Sequence, residues 1–142
     1  MSKTTSAPKK STSKKSDVKS DGKTEIFKQI RLAMLAFAPP LTVTKDTEKA
    51  FEMVSGKSIV FMGKKRDNVY FSSVMIQGGF VGFYLMPIYA QPSLIEKLGP
   101  DLRKLLKGKS CFHVKKIDST LIREINEAMK MGLECYRKLN FI

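Results

Sequence analysis

Apolar side chains divide the chain near residue 24. Upstream, apart from Met1, only Ala7 and Val18 are apolar, and the first of 13 Phe and Tyr residues is Phe27. Downstream, Ile26, Phe27, Ile30, Met34 and Phe37 recur at helical spacing behind Thr24, which suits an N-cap. Pro39-Pro40 then ends the helix, because neither residue can donate a helical hydrogen bond. Short strand-like runs follow at Leu41–Thr44, Ala50–Val54, Ser58–Met62, Val69–Ile76 and Phe80–Met86, with a charged loop at Gly63–Asn68. Gln77-Gly78-Gly79 is the clearest hairpin signal, since a glycine pair readily supplies the positive φ angles of a tight turn. Connections this short predict antiparallel neighbours in a five-strand meander.

Pro92 opens a short helix through Leu98, and a second helical piece, Asp101–Lys107, closes at Gly108. Ser110–Val114 reads as a sixth strand. Asp118 or Ser119 then caps a long final helix with Leu121, Ile125, Ala128, Gly132, Tyr136 and Leu139 on one stripe. The order predicts an α+β domain: an antiparallel sheet of about six strands, with N- and C-terminal helices packed on one face.

Composition sharpens the division at residue 24. The 142 residues carry 26 Lys and Arg against 13 Asp and Glu, a formal net charge of +13. Residues 1–23 hold 7 Lys and 2 Asp, with 6 Ser and 3 Thr. A segment with so little apolar surface cannot offset its ordering entropy, which predicts a disordered tail over 1–23 ahead of a domain at 24–142. The tail lacks the Arg and the apolar stripe of a mitochondrial presequence. The apolar stretch near Leu32–Phe37 is too short and too late for a secretory signal. No apolar run reaches the roughly 18 residues of a membrane span.

Candidate chemistry is sparse. Cys111 and His113 lie two apart and share a strand face, but two Cys and one His cannot complete a zinc site without carboxylates. Cys135 could join them only through tertiary structure. Asp46, Glu48 and Glu52 cluster around the first hairpin and offer hard oxygen ligands to a cation. Gly78-Gly79-Phe80-Val81-Gly82 lacks both the following helix and the lysine of a phosphate loop. No nucleophile elbow or His-Glu-x-x-His motif occurs, so neither catalytic residues nor a cofactor site is expected. Basic residues are the remaining signal: Lys9, Lys10, Lys14 and Lys15 in the tail, Lys64-Lys65-Arg66 in one loop, and Arg103, Lys104, Lys107, Lys109, Lys115 and Lys116 further on. Such density suits contact with phosphates.

Val81-Gly82-Phe83-Tyr84-Leu85-Met86-Pro87-Ile88-Tyr89, the Leu102–Lys107 helix and Gly108-Lys109-Ser110-Cys111-Phe112-His113-Val114-Lys115-Lys116 resemble the YdhG-like family, a bacterial domain family of largely unassigned function. The family's fold is similar to that of frataxin, and some members have been proposed as intracellular iron chaperones. The resemblance implies a frataxin-like two-layer sandwich in the cytoplasm and brings no catalytic residues. The expectation is a non-enzymatic binding domain that contacts nucleic acid or another polyanion, without sequence preference, through its tail and basic surface. Weak iron binding of frataxin type, or a structural and protein-interaction role, are the alternatives.

Overall fold

The computed structural model describes residues 18–61 and 63–142. Helix α1 spans Val18–Leu35, strand β1 Thr42–Asp46, β2 Ala50–Val54, β3 Ile59–Phe61, β4 Lys64–Arg66, β5 Tyr70–Ile76 and β6 Val81–Leu85. Helix α2 (Pro87–Ala90), a 3-10 turn (Pro92–Lys97), α3 (Pro100–Lys104), β7 (Leu106–Lys107), β8 (Cys111–Val114) and α4 (Ser119–Lys138) complete the chain. Six strands form one antiparallel sheet in the order β1-β2-β5-β6-β8-β7, while β3 and β4 pair only with each other.

Strand periodicity builds the core. Along the sheet, Phe51 lies opposite Val74, Val74 opposite Phe83, and Phe83 opposite Phe112. All four are fully buried. Each side chain of this size contributes about 1.5–3 kcal/mol when removed from water. The helices supply the opposing layer: Ile26, Phe27, Ile30 and Met34 from α1, and Leu121, Ile125, Ala128 and Tyr136 from α4. Tyr136 carries a polar handle into this layer. Its hydroxyl donates to the Tyr70 carbonyl at 2.6 Å, and its ring meets the edges of Phe71 and Phe141, each with centroids 5.1 Å away. Gly132 brings α4 against the sheet, since a Cβ there would sit 2.9 Å from Pro87 and 3.2 Å from Phe71.

Several expectations change. Helix α1 begins at Val18, six residues before Thr24, so it extends into the segment expected as a tail. Lys23, in the second turn of α1, fastens the helix to the sheet by donating to the carbonyls of Gly78 (2.8 Å) and Gln77 (3.3 Å). The remainder of the expected tail, with Lys9, Lys10, Lys14 and Lys15, lies outside the described residues. The meander also fails at one place. Ser55 donates its N–H to Val69 O at 2.8 Å and accepts the Val69 N–H at 3.0 Å on its hydroxyl. This closes a loop at its mouth and leaves β2 to pair directly with β5. Of the strand predicted at Ser58–Met62, Ile59–Phe61 therefore leaves the sheet as an excursion, and Lys64-Lys65-Arg66 is its return strand, not a loop.

The sixth sheet position goes instead to Leu106–Lys107, expected as helix. Gly108, at φ 78°, turns β7 into β8. The Gly78-Gly79 hairpin is present, with Ile76 opposite Val81, but it is a four-residue loop closed by Gln77 N–H to Phe80 O at 2.8 Å. The glycines at positive φ are Gly56, Gly63 and Gly108, so this turn does not use the mirror-image geometry. At the final helix, Asp118 is the cap and accepts the Leu121 N–H at 2.8 Å. Leu139, assigned to the buried stripe, lies past the helix end and is exposed.

Candidate polyanion-binding groove

Four of the basic residues singled out in the sequence converge. Lys104 at the end of α3, Lys107 on β7, and Lys115 and Lys116 after β8 line one open groove of about 490 Å³. Its remaining walls include His113 and Leu121, together with Asp101 and Asp118. The placement follows from local chain rules. Pro100 and Gly99 start α3, β7 ends after two residues at Gly108, and β8 runs out just before the α4 cap. Three element ends therefore meet at one corner of the sheet. Four ammonium groups face two carboxylates there, and Asp118 is already committed to the Leu121 N–H. The N-terminal end of the 20-residue α4 adds the positive end of its macrodipole.

A buried carboxylate holds this corner together. Glu124 on α4 is 3% exposed and accepts the Leu102 N–H at 2.8 Å, capping α3 from a neighbouring helix. Gly99 leaves the necessary space, because a Cβ there would lie 2.1 Å from Glu124 Cδ. Sequence reasoning missed Glu124. Its position on an otherwise apolar stripe was the available signal.

The other basic candidates lie elsewhere. Arg103 turns away and donates to the Glu96 carbonyl at 3.3 Å. Lys109 sits 5.7 Å above the Tyr89 ring, a cation–π contact outside the groove. Lys64, Lys65 and Arg66 are exposed on the β3–β4 ribbon.

The acidic candidates do not converge. Asp46 lies opposite Phe51 and Glu52 opposite Lys45, so the two carboxylates point to opposite faces of the sheet. Arg31 grips Asp46 through two hydrogen bonds, at 2.9 and 2.7 Å. This bidentate bond holds the Asp46 carboxyl below its ordinary range and raises the guanidinium. Glu52 instead accepts the Thr44 hydroxyl at 2.8 Å. Asp46 and Glu48 border a larger groove of about 860 Å³ between α1 and the β1–β2 turn, where Lys28, Arg31 and Lys49 outnumber them. Among the described residues, no three His, Cys, Asp or Glu side chains are grouped to hold a metal ion.

Cys111 and His113 do share a face, lying opposite Tyr84 and Gly82 of β6. Cys135 does not approach them: it is buried on the helical side, with its Sγ 3.5 Å from Gln91 Oε1. Burial pushes the Cys135 thiol up. On the face of Cys111, burial raises the Tyr70 phenol to about 12, although its hydroxyl bonds Ser73. The Tyr84 phenol is raised by burial and by its contact with Cys111.

No helix among the described residues is long and apolar enough to cross a membrane. Comparison with protein-family models, curated proteins and solved structures gives no match for this chain.

Proposed function

We propose that the chain is a non-enzymatic binding protein whose groove at the α3–β7–β8–α4 corner receives the phosphates of a nucleic acid. The observation that carries this reading is the convergence of Lys104, Lys107, Lys115 and Lys116 on one groove. Lysines on short, well-anchored elements can follow a phosphate backbone without reading bases, which fits binding without sequence preference. The exposed β3–β4 ribbon offers Lys64, Lys65 and Arg66 as a second contact, and the lysines of residues 1–17 a third. The reading includes a cytoplasmic setting and kinship with the YdhG-like family. Two terminal helices on a six-stranded antiparallel sheet support a frataxin-like layout.

The test is fluorescence anisotropy with a short labelled oligonucleotide across a salt series. Replacing the four groove lysines with glutamine should flatten the slope of log affinity against log salt by roughly 3 units, at about 0.7–0.9 per phosphate released. Deleting residues 1–17 should flatten it further, because five more lysines are removed. An unchanged slope in the lysine variant overturns the groove as the binding site.

A further inference from the structure

We infer that the uncovered face of the sheet beside the groove is a stacking platform for unpaired bases, so that the nucleic acid held here is single-stranded. This rests on the groove reading and extends it. The helices bury the face that carries Phe51, Val74, Phe83 and Phe112. On the opposite face, Phe80, Tyr84 and His113 all remain partly exposed. They form one continuous aromatic strip. Phe80 and His113 stack with centroids 3.8 Å apart and planes 13° from parallel. Gly82 is the cross-strand partner of His113, and the Tyr84 ring lies over it: a Cβ at Gly82 would come within 3.0 Å of Tyr84 Cε1. Gln77 Nε2 donates to the Tyr84 hydroxyl at 3.2 Å and ties down the far end of that ring. The absence of a Cβ at Gly82 thus lets an aromatic side chain lie along the sheet, not stand out from it.

His113 joins the two surfaces. Its ring stacks on Phe80, and the same residue lines the lysine groove. Its backbone N–H is fixed by the Leu105 carbonyl at 3.0 Å. A strand with its phosphates along Lys104, Lys107, Lys115 and Lys116 therefore passes the aromatic strip at His113. Charge complementarity selects a polyanion, and the rings select one whose bases are free to leave their stack. In a duplex the faces of the bases are already covered, whereas single strands stack on aromatic side chains with little regard to sequence.

The experiment compares full-length protein binding an oligothymidylate and an abasic oligonucleotide of equal length and charge. The native chain should bind the thymidylate more tightly and show quenching of its tyrosine fluorescence, which is readable because the chain has no Trp. Phe80→Leu combined with Tyr84→Leu should cost the thymidylate at least about 25-fold, taking roughly 5-fold or more for each of two stacked bases. The abasic strand should bind this variant as before, and Phe80→Tyr should retain native affinity for both. Replacing the four lysines should weaken both ligands. If the lysine variant loses both ligands but the aromatic variant loses neither, the platform is wrong and the groove stands. Equal native affinity for thymidylate and abasic strands overturns the platform as well. If the lysine variant loses neither ligand, the groove reading falls.

Discussion

Replacing Gly99 with alanine perturbs the contact that holds α3, and with it Lys104, against α4. The backbone at Gly99, with φ −59° and ψ 152°, is open to alanine, so any cost comes from the added methyl alone. That methyl would lie 2.1 Å from Glu124 Cδ and 2.3 Å from Oε1, so the carboxylate must leave its position. The buried Leu102 N–H then loses its charged acceptor, worth about 1.5–3 kcal/mol. Alanine returns about 0.4–1 kcal/mol by restricting the unfolded chain. The net loss should be about 1–2 kcal/mol, or roughly 4–8 °C in Tm for a chain near this size. Glu124→Ala removes the same bond by another route and vacates the space. In that background Gly99→Ala should be neutral, or stabilising by up to about 1 kcal/mol. Urea unfolding of the native chain, both single variants and the double variant measures the coupling. It should be about 1.5–3 kcal/mol and of compensating sign. Additive effects within about 0.5 kcal/mol would refute the account, because they would mean that Gly99 and Glu124 do not share one contact.

Alkali should unfold the protein through its buried phenols. Burial raises Tyr70 to about 12 and pushes Tyr136 up as well, so the unfolded chain sheds these protons first. Their stabilisation is complete below the unfolded value near pH 10 and is lost above it, at about 1.4 kcal/mol per pH unit for each phenol. Urea midpoints that stay level from pH 10 to 12 would contradict this. The two thiols should differ in rate: Cys111 is partly exposed on the sheet face, whereas Cys135 is buried with a raised pKa. Thiol labelling of native protein should modify Cys111 well before Cys135, and equal rates would show that α4 opens as readily as the sheet face.

Period and punctuation made much of the fold readable in the sequence. The Leu121–Tyr136 stripe, the Asp118 cap, the hairpin at Gly78-Gly79 and the alternation of β2, β5, β6 and β8 all follow from rules that act within a few residues. The start of α1 did not follow those rules, because Val18–Lys23 looks too polar to order itself. A contact 55 residues away, from Lys23 to Gly78, helps to hold it. Strand order was equally hidden. β3 has the residues of a sheet strand, but Ser55 and Val69 close the loop below it, and only the fold brings them together.

The site divides along the same line. Charge density marked Lys104, Lys107, Lys115 and Lys116, yet the same signal marked Arg103 and Lys109, which turn elsewhere. The carboxylates of Asp46 and Glu52 looked like neighbours until strand register set them on opposite faces. The strip of Phe80, Tyr84 and His113 joins residues up to 33 positions apart. Alternation along one strand put Phe80 and Tyr84 on a common face, but cross-strand register alone set His113 beside them. Sequence therefore determined which side chains are available and, through period, caps and breaks, how each element is built locally. Tertiary structure decided which of those side chains meet, because pairing and packing between distant segments are set by burying a shared core and not by any local pattern.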